Sequence, residues 1–168
     1  MTGVNQLSHP IRVKLLSGVS RRHLLETAHV YVAAFTAADV GERWDENSAL
    51  EYIQYCLQRQ PELCFIAITQ RKVVGGIFGE IRRLDTEFLY IADIFVQPQY
   101  QMKGIAKTLF RTLVEESYKR YPHVRAIETL VDGTKTFPSG WYERIGMRRK
   151  VWVLISGSIE EALSRLYR

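Results

Sequence analysis

Residues 89–121 read LYIADIFVQPQYQMKGIAKTLFRTLVEESYKRY, and the hydrophobic period changes once within them. The run Leu89 to Val96 is almost wholly apolar, the pattern of a central strand buried on both faces. After the turn-like QPQY, Ala106, Leu109, Phe110, Leu113 and Val114 recur at helical spacing. Lys107, Arg111, Glu115 and Lys119 come at every fourth position on another face, which predicts the longest helix of the chain. Ala126 to Val131 reads as another buried strand, and strand, helix, strand predicts a parallel crossover unit.

Working outward, LCFIAIT (63–69) and VVGGIFGEI (73–81) are strand-like runs joined by Gln70-Arg71-Lys72, the spacing of an antiparallel hairpin. Ile11 to Leu16 predicts a first strand. Ser20 is placed to cap a helix carrying Leu24, Leu25, Ala28, Val32 and Phe35. An acid-rich loop with Asp39, Gly41, Glu42, Trp44, Asp45 and Glu46 leads to a second helix with Leu50, Ile53 and Leu57 on one face, capped by Asp45 or Asn47. Beyond the loop DGTKTFPSG, Trp141 to Ile145 predicts a short helix closed by Gly146, and Met147 to Ile155 a strand. Ser158 with Glu161 forms a capping box for a final helix over about 159–168. With 168 residues and no repeat or linker, the expectation is a single domain over 1–168, its core over about 11–155.

Composition excludes several classes. A chain that is 46% hydrophobic and 24% charged, with 5 Pro and 11 Gly, is neither disordered nor collagenous. Cys56 and Cys64 lack any Cys-x-x-Cys spacing, and His9, His23, His29 and His123 are scattered, so neither a disulfide framework nor a metal site is expected. No signal peptide or membrane span is read, and the expected location is the cytoplasm. The net charge of +5 is unevenly held. Residues 1–100 carry 10 Lys and Arg against 11 Asp and Glu, and residues 101–168 carry 13 against 7. A basic half suits a polyanion or a solvated face.

The chemistry concentrates at Gln101-Met102-Lys103-Gly104-Ile105-Ala106. A glycine and a small residue at a helix start let backbone N–H groups approach a phosphate, and the helix dipole favours the anion, although Gly104 also reads as a plain turn residue. The segment is neither a P-loop nor a dinucleotide fingerprint. Taken with Val96-x-Pro98 before it and Tyr142-Glu143-Arg144-Ile145-Gly146-Met147 after it, it resembles the GNAT superfamily of acetyl-CoA-dependent N-acetyltransferases. The resemblance implies a mixed α/β fold with a mostly antiparallel sheet, a splayed parallel strand pair and helices on both faces.

It also implies acetyl-CoA as cosubstrate, with no metal. Gln101, Met102, Lys103, Gly104, Ile105, Ala106 and Lys107 would hold the pyrophosphate, and the main chain of Ile94, Phe95 and Val96 would pair with the pantetheine arm. Tyr142 stands where the family keeps the tyrosine that protonates the leaving thiolate. Its other reading is a packed tyrosine beside Trp141. Lys135 stands where the family often has asparagine, and Met147 where it has phenylalanine.

Asp93 is the only ionisable group in its apolar run apart from Tyr90, and it is the candidate base for the acceptor amine, with Glu80 in reserve. The alternative reading is a buried aspartate tied to backbone or to an arginine. Trp44, Asp45 and Glu46, with Tyr31 and Phe35 just before them, suit a cationic acceptor through ion pairing and cation–π contact. The expected reaction is transfer of acetyl to the amine of a small molecule or peptide, with no nucleic-acid or membrane partner, and a homodimer is compatible with the family. The rival readings are a non-catalytic CoA-binding module and a basic nucleic-acid-binding protein, for which Arg148-Arg149-Lys150 is the nearest cluster.

Overall fold

The computed structural model describes residues 9–37, 40–134, 138–150, 158–159 and 165–166. Asp39, Lys135, residues 151–155 and Glu161 lie outside them, and with these the second half of the expected strand 147–155 and most of the final helix. The chain divides between Leu130 and Val131 into two compact units.

The first unit carries a five-stranded sheet in the order β1-β2-β3-β4-β5. Its strands are β1 (Arg12–Leu15), β2 (Cys64–Thr69), β3 (Lys72–Arg83), β4 (Glu87–Val96) and β5 (Ala126–Glu128). Neighbours among the first four are antiparallel, and β5 joins β4 in parallel, as strand, helix, strand requires. The expected mixed α/β sheet with one parallel pair is therefore present. The β2–β3 hairpin turns on Gln70 and Arg71, both left-handed at φ 49° and 63°, the backbone of a type I′ turn.

Helices α1 (Arg21–Phe35) and α2 (Glu46–Arg59) pack on one face of the sheet and α3 (Ile105–Arg120) on the other. Tyr31, Ile53, Ile66, Ile68, Phe78 and Phe95 lie in one buried cluster on the first face. On the second, a Cβ added to Gly79 would stand 2.8 Å from the end of the Leu113 side chain of α3, which would have to shift to admit it. All six residues of β2 are buried, as a strand covered on both faces must be.

Several expectations need correction. Leu16 leaves the first strand for a 3-10 turn. Ser20 is the N-cap residue of α1, but its hydroxyl meets His23 Nδ1 at 3.2 Å rather than a helix amide. At the start of α2, Asp45 is the cap: its carboxylate accepts from the amides of Asn47 and Ser48 at 2.8 and 2.9 Å, and Ser48 completes the capping box.

β4 is not buried throughout, since Tyr90, Ala92, Asp93 and Ile94 are half-buried. β5 stops at Glu128 with Ala126 exposed, shorter and less buried than expected. Ala92, Asp93 and Ile94 lie beyond the last β4–β5 pair, Tyr90 with Glu128, and β5 is itself an edge strand of the sheet. Residues 147–150 are not strand. Among the described residues no helix is long and apolar enough to cross a membrane.

The second unit contains α4 (Ser139–Arg144), which begins two residues before the expected Trp141. It closes at Gly146, which is left-handed at φ 97°.

Candidate functional site

The site grows from an irregularity in β4. Along β3, Phe78 and Glu80 point to the same face, because side chains alternate with period two. Their partners across the ladder are Asp93 and Tyr90, which share that face although they are three residues apart. The register achieves this by skipping Ala92, a β-bulge opposite Phe78 and Gly79. In a regular strand Asp93 would have turned toward α3. The bulge aims it at α1 and α2.

Next to the bulge, β4 parts from β5. The Thr129 hydroxyl donates to the Ile91 carbonyl at 3.0 Å, just past the last ladder pair. From Ala92 to Val96 the β4 edge on that side has no strand partner among the described residues, while the other edge stays paired with β3 as far as Val96. Ile94, Phe95 and Val96 thus have one open main-chain edge.

The strand then runs into a short 3-10 turn, Pro98–Tyr100, and reaches the start of α3. The Gln101 side chain donates to the Val96 carbonyl at 3.2 Å, tying the loop back to the strand. Lys103 donates to the Gln99 carbonyl at 3.1 Å and lies 5.3 Å from the Tyr100 ring centre. Met102 is left-handed at φ 59° and 98% exposed. Gly104 is the N-cap residue at φ 79°, and no side chain caps the helix. The amides of Ile105, Ala106 and Lys107 therefore head α3 without a capping acceptor, with the positive end of the helix dipole behind them. Gln101 to Lys107 fit an anionic phosphate group on this geometry.

On the α1–α2 face, Asp93 meets an aromatic cluster. The Tyr52 hydroxyl donates to Asp93 Oδ2 at 2.5 Å. The Tyr31 ring lies 4.5 Å from Phe35, 5.1 Å from Trp44, 5.7 Å from Tyr52 and 5.1 Å from Phe95. Trp44 stands 5.6 Å from Tyr52 and donates its indole N–H to Glu42 at 2.7 Å. Burial pushes the Asp93 carboxyl up to about 7; Tyr52 and, more weakly, Tyr31 pull it down, and the Glu42 charge pushes it up. Burial, with the Asp93 charge second, pushes both tyrosine hydroxyls far above their usual range, so both remain donors. Among the described residues no Lys, Arg or His forms an ion pair with Asp93. The arginine-tied reading of this residue does not hold there.

Glu80 has a different setting. It is 8% exposed and lies between Arg59 at 2.6 Å and Arg82, whose guanidinium also stacks 3.4 Å from the Tyr90 ring centre. Burial raises its pKa, but the two arginines outweigh burial and hold it below the usual carboxylate range. Such a group is a poor proton acceptor.

Of the expected acceptor contacts, Trp44 stands in the aromatic cluster. Asp45 is engaged at the head of α2, and Glu46 pairs with His29 at 2.9 Å on the exposed surface. Sequence reasoning missed Tyr52. Its only signal was Tyr52-x-x-Tyr55, an aromatic pair at helical spacing whose rings lie 6.5 Å apart.

In the second unit, Tyr142 is 6% exposed, with its ring 5.0 Å from Trp141. Its carbonyl accepts from Met147 at 3.0 Å across the Gly146 turn. Arg149 of the basic cluster pairs with Glu143 at 2.6 Å. Among the described residues no group of His, Cys, Asp and Glu is arranged to hold a metal. Cys56 and Cys64 are free and buried, and burial pushes their thiols up to about 11 and about 12.

The profile of the acetyltransferase (GNAT) family matches residues 24–147. No curated protein matches the chain. Solved structures share the fold. PH1933 from Pyrococcus horikoshii OT3 is 22% identical with a TM-score of 0.74, covering 88% of this chain and 93% of its own. The aminoglycoside N-acetyltransferase AAC(6')-Iy in complex with CoA is 14% identical with a TM-score of 0.71, covering 91% and 97%. The NatC complex bound to Gag peptide and CoA is 22% identical over 83% and 86%, with a TM-score of 0.65.

Proposed function

We propose that this chain, which belongs to the acetyltransferase (GNAT) family, moves an acetyl group from acetyl-CoA to the amine of a small molecule or peptide by direct attack. The observation that carries the reading is continuous in the chain. An open β4 edge at Ile94 to Val96 leads through a short turn into an uncapped, left-handed helix start at Gly104. Gln101 to Ala106 and Lys107 hold the pyrophosphate through amides and charge, and the open edge of β4 pairs with the pantetheine arm. The bound thioester supplies an acyl group already activated for transfer.

Asp93 or a water in contact with it takes the proton that the attacking amine must lose. A carboxyl with a pKa near 7 is matched to that task, and the arginine-held Glu80 is not. As the nitrogen–acyl bond forms and the carbon–sulfur bond breaks, Tyr142 returns a proton to the sulfur. Neither cysteine offers a thiolate, which favours direct transfer over an acyl-cysteine. Trp44, with the Glu42 carboxylate on its indole and Tyr52 beside it, receives the cationic acceptor. Asp45 and Glu46 support that wall from behind. The Asp45 cap fixes where α2 begins, and so where Tyr52 stands.

Thermal melting with CoA, followed by thiol release from acetyl-CoA over kanamycin, spermidine and a lysine-containing peptide, tests the reading. The expected result is a higher melting temperature with CoA and turnover on at least one amine. Tyr142→Phe should lose most of that turnover while keeping CoA affinity, and a fully active variant removes Tyr142 from the role. Stabilisation by CoA without turnover on any amine makes the protein a non-catalytic CoA-binding module. Steeply salt-dependent DNA binding with no CoA effect makes it a nucleic-acid-binding protein.

A further inference from the structure

We infer that Tyr52 is a positioning residue, whose donating hydroxyl holds the Asp93 carboxylate where it can accept the proton of the attacking amine. The inference rests on the reading of Asp93 as the base. The hydroxyl is 2.5 Å from Asp93 Oδ2, and the ring that carries it is set by three neighbours: Trp44 at 5.6 Å, Tyr31 at 5.7 Å and Tyr55 at 6.5 Å. A tyrosine wedged in this way loses little freedom in making the bond, so the direction of the donor is fixed before substrate arrives.

The groups that bear on Asp93 are few. α2 contributes Tyr52 and the Cys56 thiol, α1 contributes Tyr31, the loop before α2 contributes Glu42, and the cross-strand neighbour on β3 is the uncharged Phe78. Burial and Glu42 favour the neutral acid. The two hydroxyls favour the carboxylate, and Tyr52 is the stronger of them. Without Tyr52 the carboxyl would stay protonated through neutrality and would have no vacancy for an amine proton. The same hydrogen bond therefore fixes the orientation of the base and keeps it usable at the pH of the reaction.

Carbonyl-carbon NMR of the full-length protein labelled with 13C-aspartate measures this without a substrate. The chain has five aspartates, and the Asp93 resonance is identified by its loss in Asp93→Asn. In Tyr52→Phe the Asp93 titration midpoint should rise by about one to two pH units. With 3-fluorotyrosine at position 52, a stronger donor on the same ring, the midpoint should fall. That arm also decides the matter if the phenylalanine variant does not fold. A merely packing role for Tyr52 predicts the same midpoint in all three proteins, and that result overturns the inference. The reading beneath it fails separately: Asp93→Asn turning over the amine panel at the wild-type rate removes Asp93 as base, whatever the titration shows.

Discussion

The helix start at Gly104 and the carboxyl at Asp93 are eleven residues apart in sequence, yet they are built in opposite ways. The first is a backbone device. Its donors are main-chain amides, its shape comes from a left-handed glycine, and each of its parts lies within the turn from Gln101 to Lys107. The second is a side-chain assembly drawn from Tyr31, Glu42, Tyr52 and Asp93, on two helices, a loop and a strand. A backbone site tolerates exchange of most side chains around it. An assembled carboxyl depends on each of its partners. The two should therefore fail differently when altered.

The largest effect is expected at Asp93. Asp93→Asn should lower kcat/KM by about 10²- to 10⁴-fold, the usual scale for a removed general base, and leave CoA affinity in calorimetry unchanged. Loss of CoA binding in this variant would show that the two regions are one coupled unit. The same substitution carries a stability signature. The folded Asp93 carboxyl titrates near 7 and its ordinary value is 3.8, so between these the unfolded chain is ionised while the native one still binds the proton. Native stability from this group is full below about pH 4 and is lost as pH rises through 7. Asp93→Asn should then melt above the wild type at pH 8, and the gain should vanish at pH 4. A gain that persists unchanged at pH 4 would mean that the carboxyl is not destabilised by burial.

A smaller effect belongs to the helix start. At φ 79°, a β-branched residue in place of Gly104 costs on the order of 1–2 kcal/mol, although nothing crowds the position. Gly104→Val should weaken CoA binding by about 5- to 30-fold in calorimetry. The pH at which Asp93 titrates should stay where it is. If that pH moves, the contrast between a backbone site and a side-chain site is wrong.

The smallest effect is expected at the rim. Glu42→Gln removes the negative charge on the Trp44 indole and the like charge that opposes ionisation of Asp93. KM for a cationic amine should rise by about 3- to 10-fold, and the acid limb of kcat/KM should move to lower pH. An unchanged KM would take the acceptor away from Trp44.

The same contrast explains what could be read from sequence. The glycine, the change of period after Val96 and the stripe from Ala106 to Val114 are local signals, so the strand, the turn and α3 were legible, and with them the helix start. The Asp45 cap was legible as one of two alternatives for the same reason. Tyr52 was not, because its partner lies 41 residues away and only the packed sheet brings them together. The shortness of β5 was equally hidden, since it shows only in where β4 parts from its neighbour. Glu80 shows a third case. In sequence it resembled Asp93 as a lone acid on a strand, and only the flanking Arg59 and Arg82 separate a held ion from a group able to exchange a proton.

The bulge at Ala92 also makes β4 a strand that counts. Replacing Ala92 with another small residue leaves the count intact, and the side chains that follow keep their sides of the sheet. Pairing Ala92 regularly, without the bulge, would re-phase everything from Asp93 to Val96, sending the carboxyl toward α3 and Ile94 toward the tyrosines. The sequence would be unchanged, and the strand would still pair. The facing of Asp93 is therefore set less by which residue stands at 92 than by whether the ladder skips it.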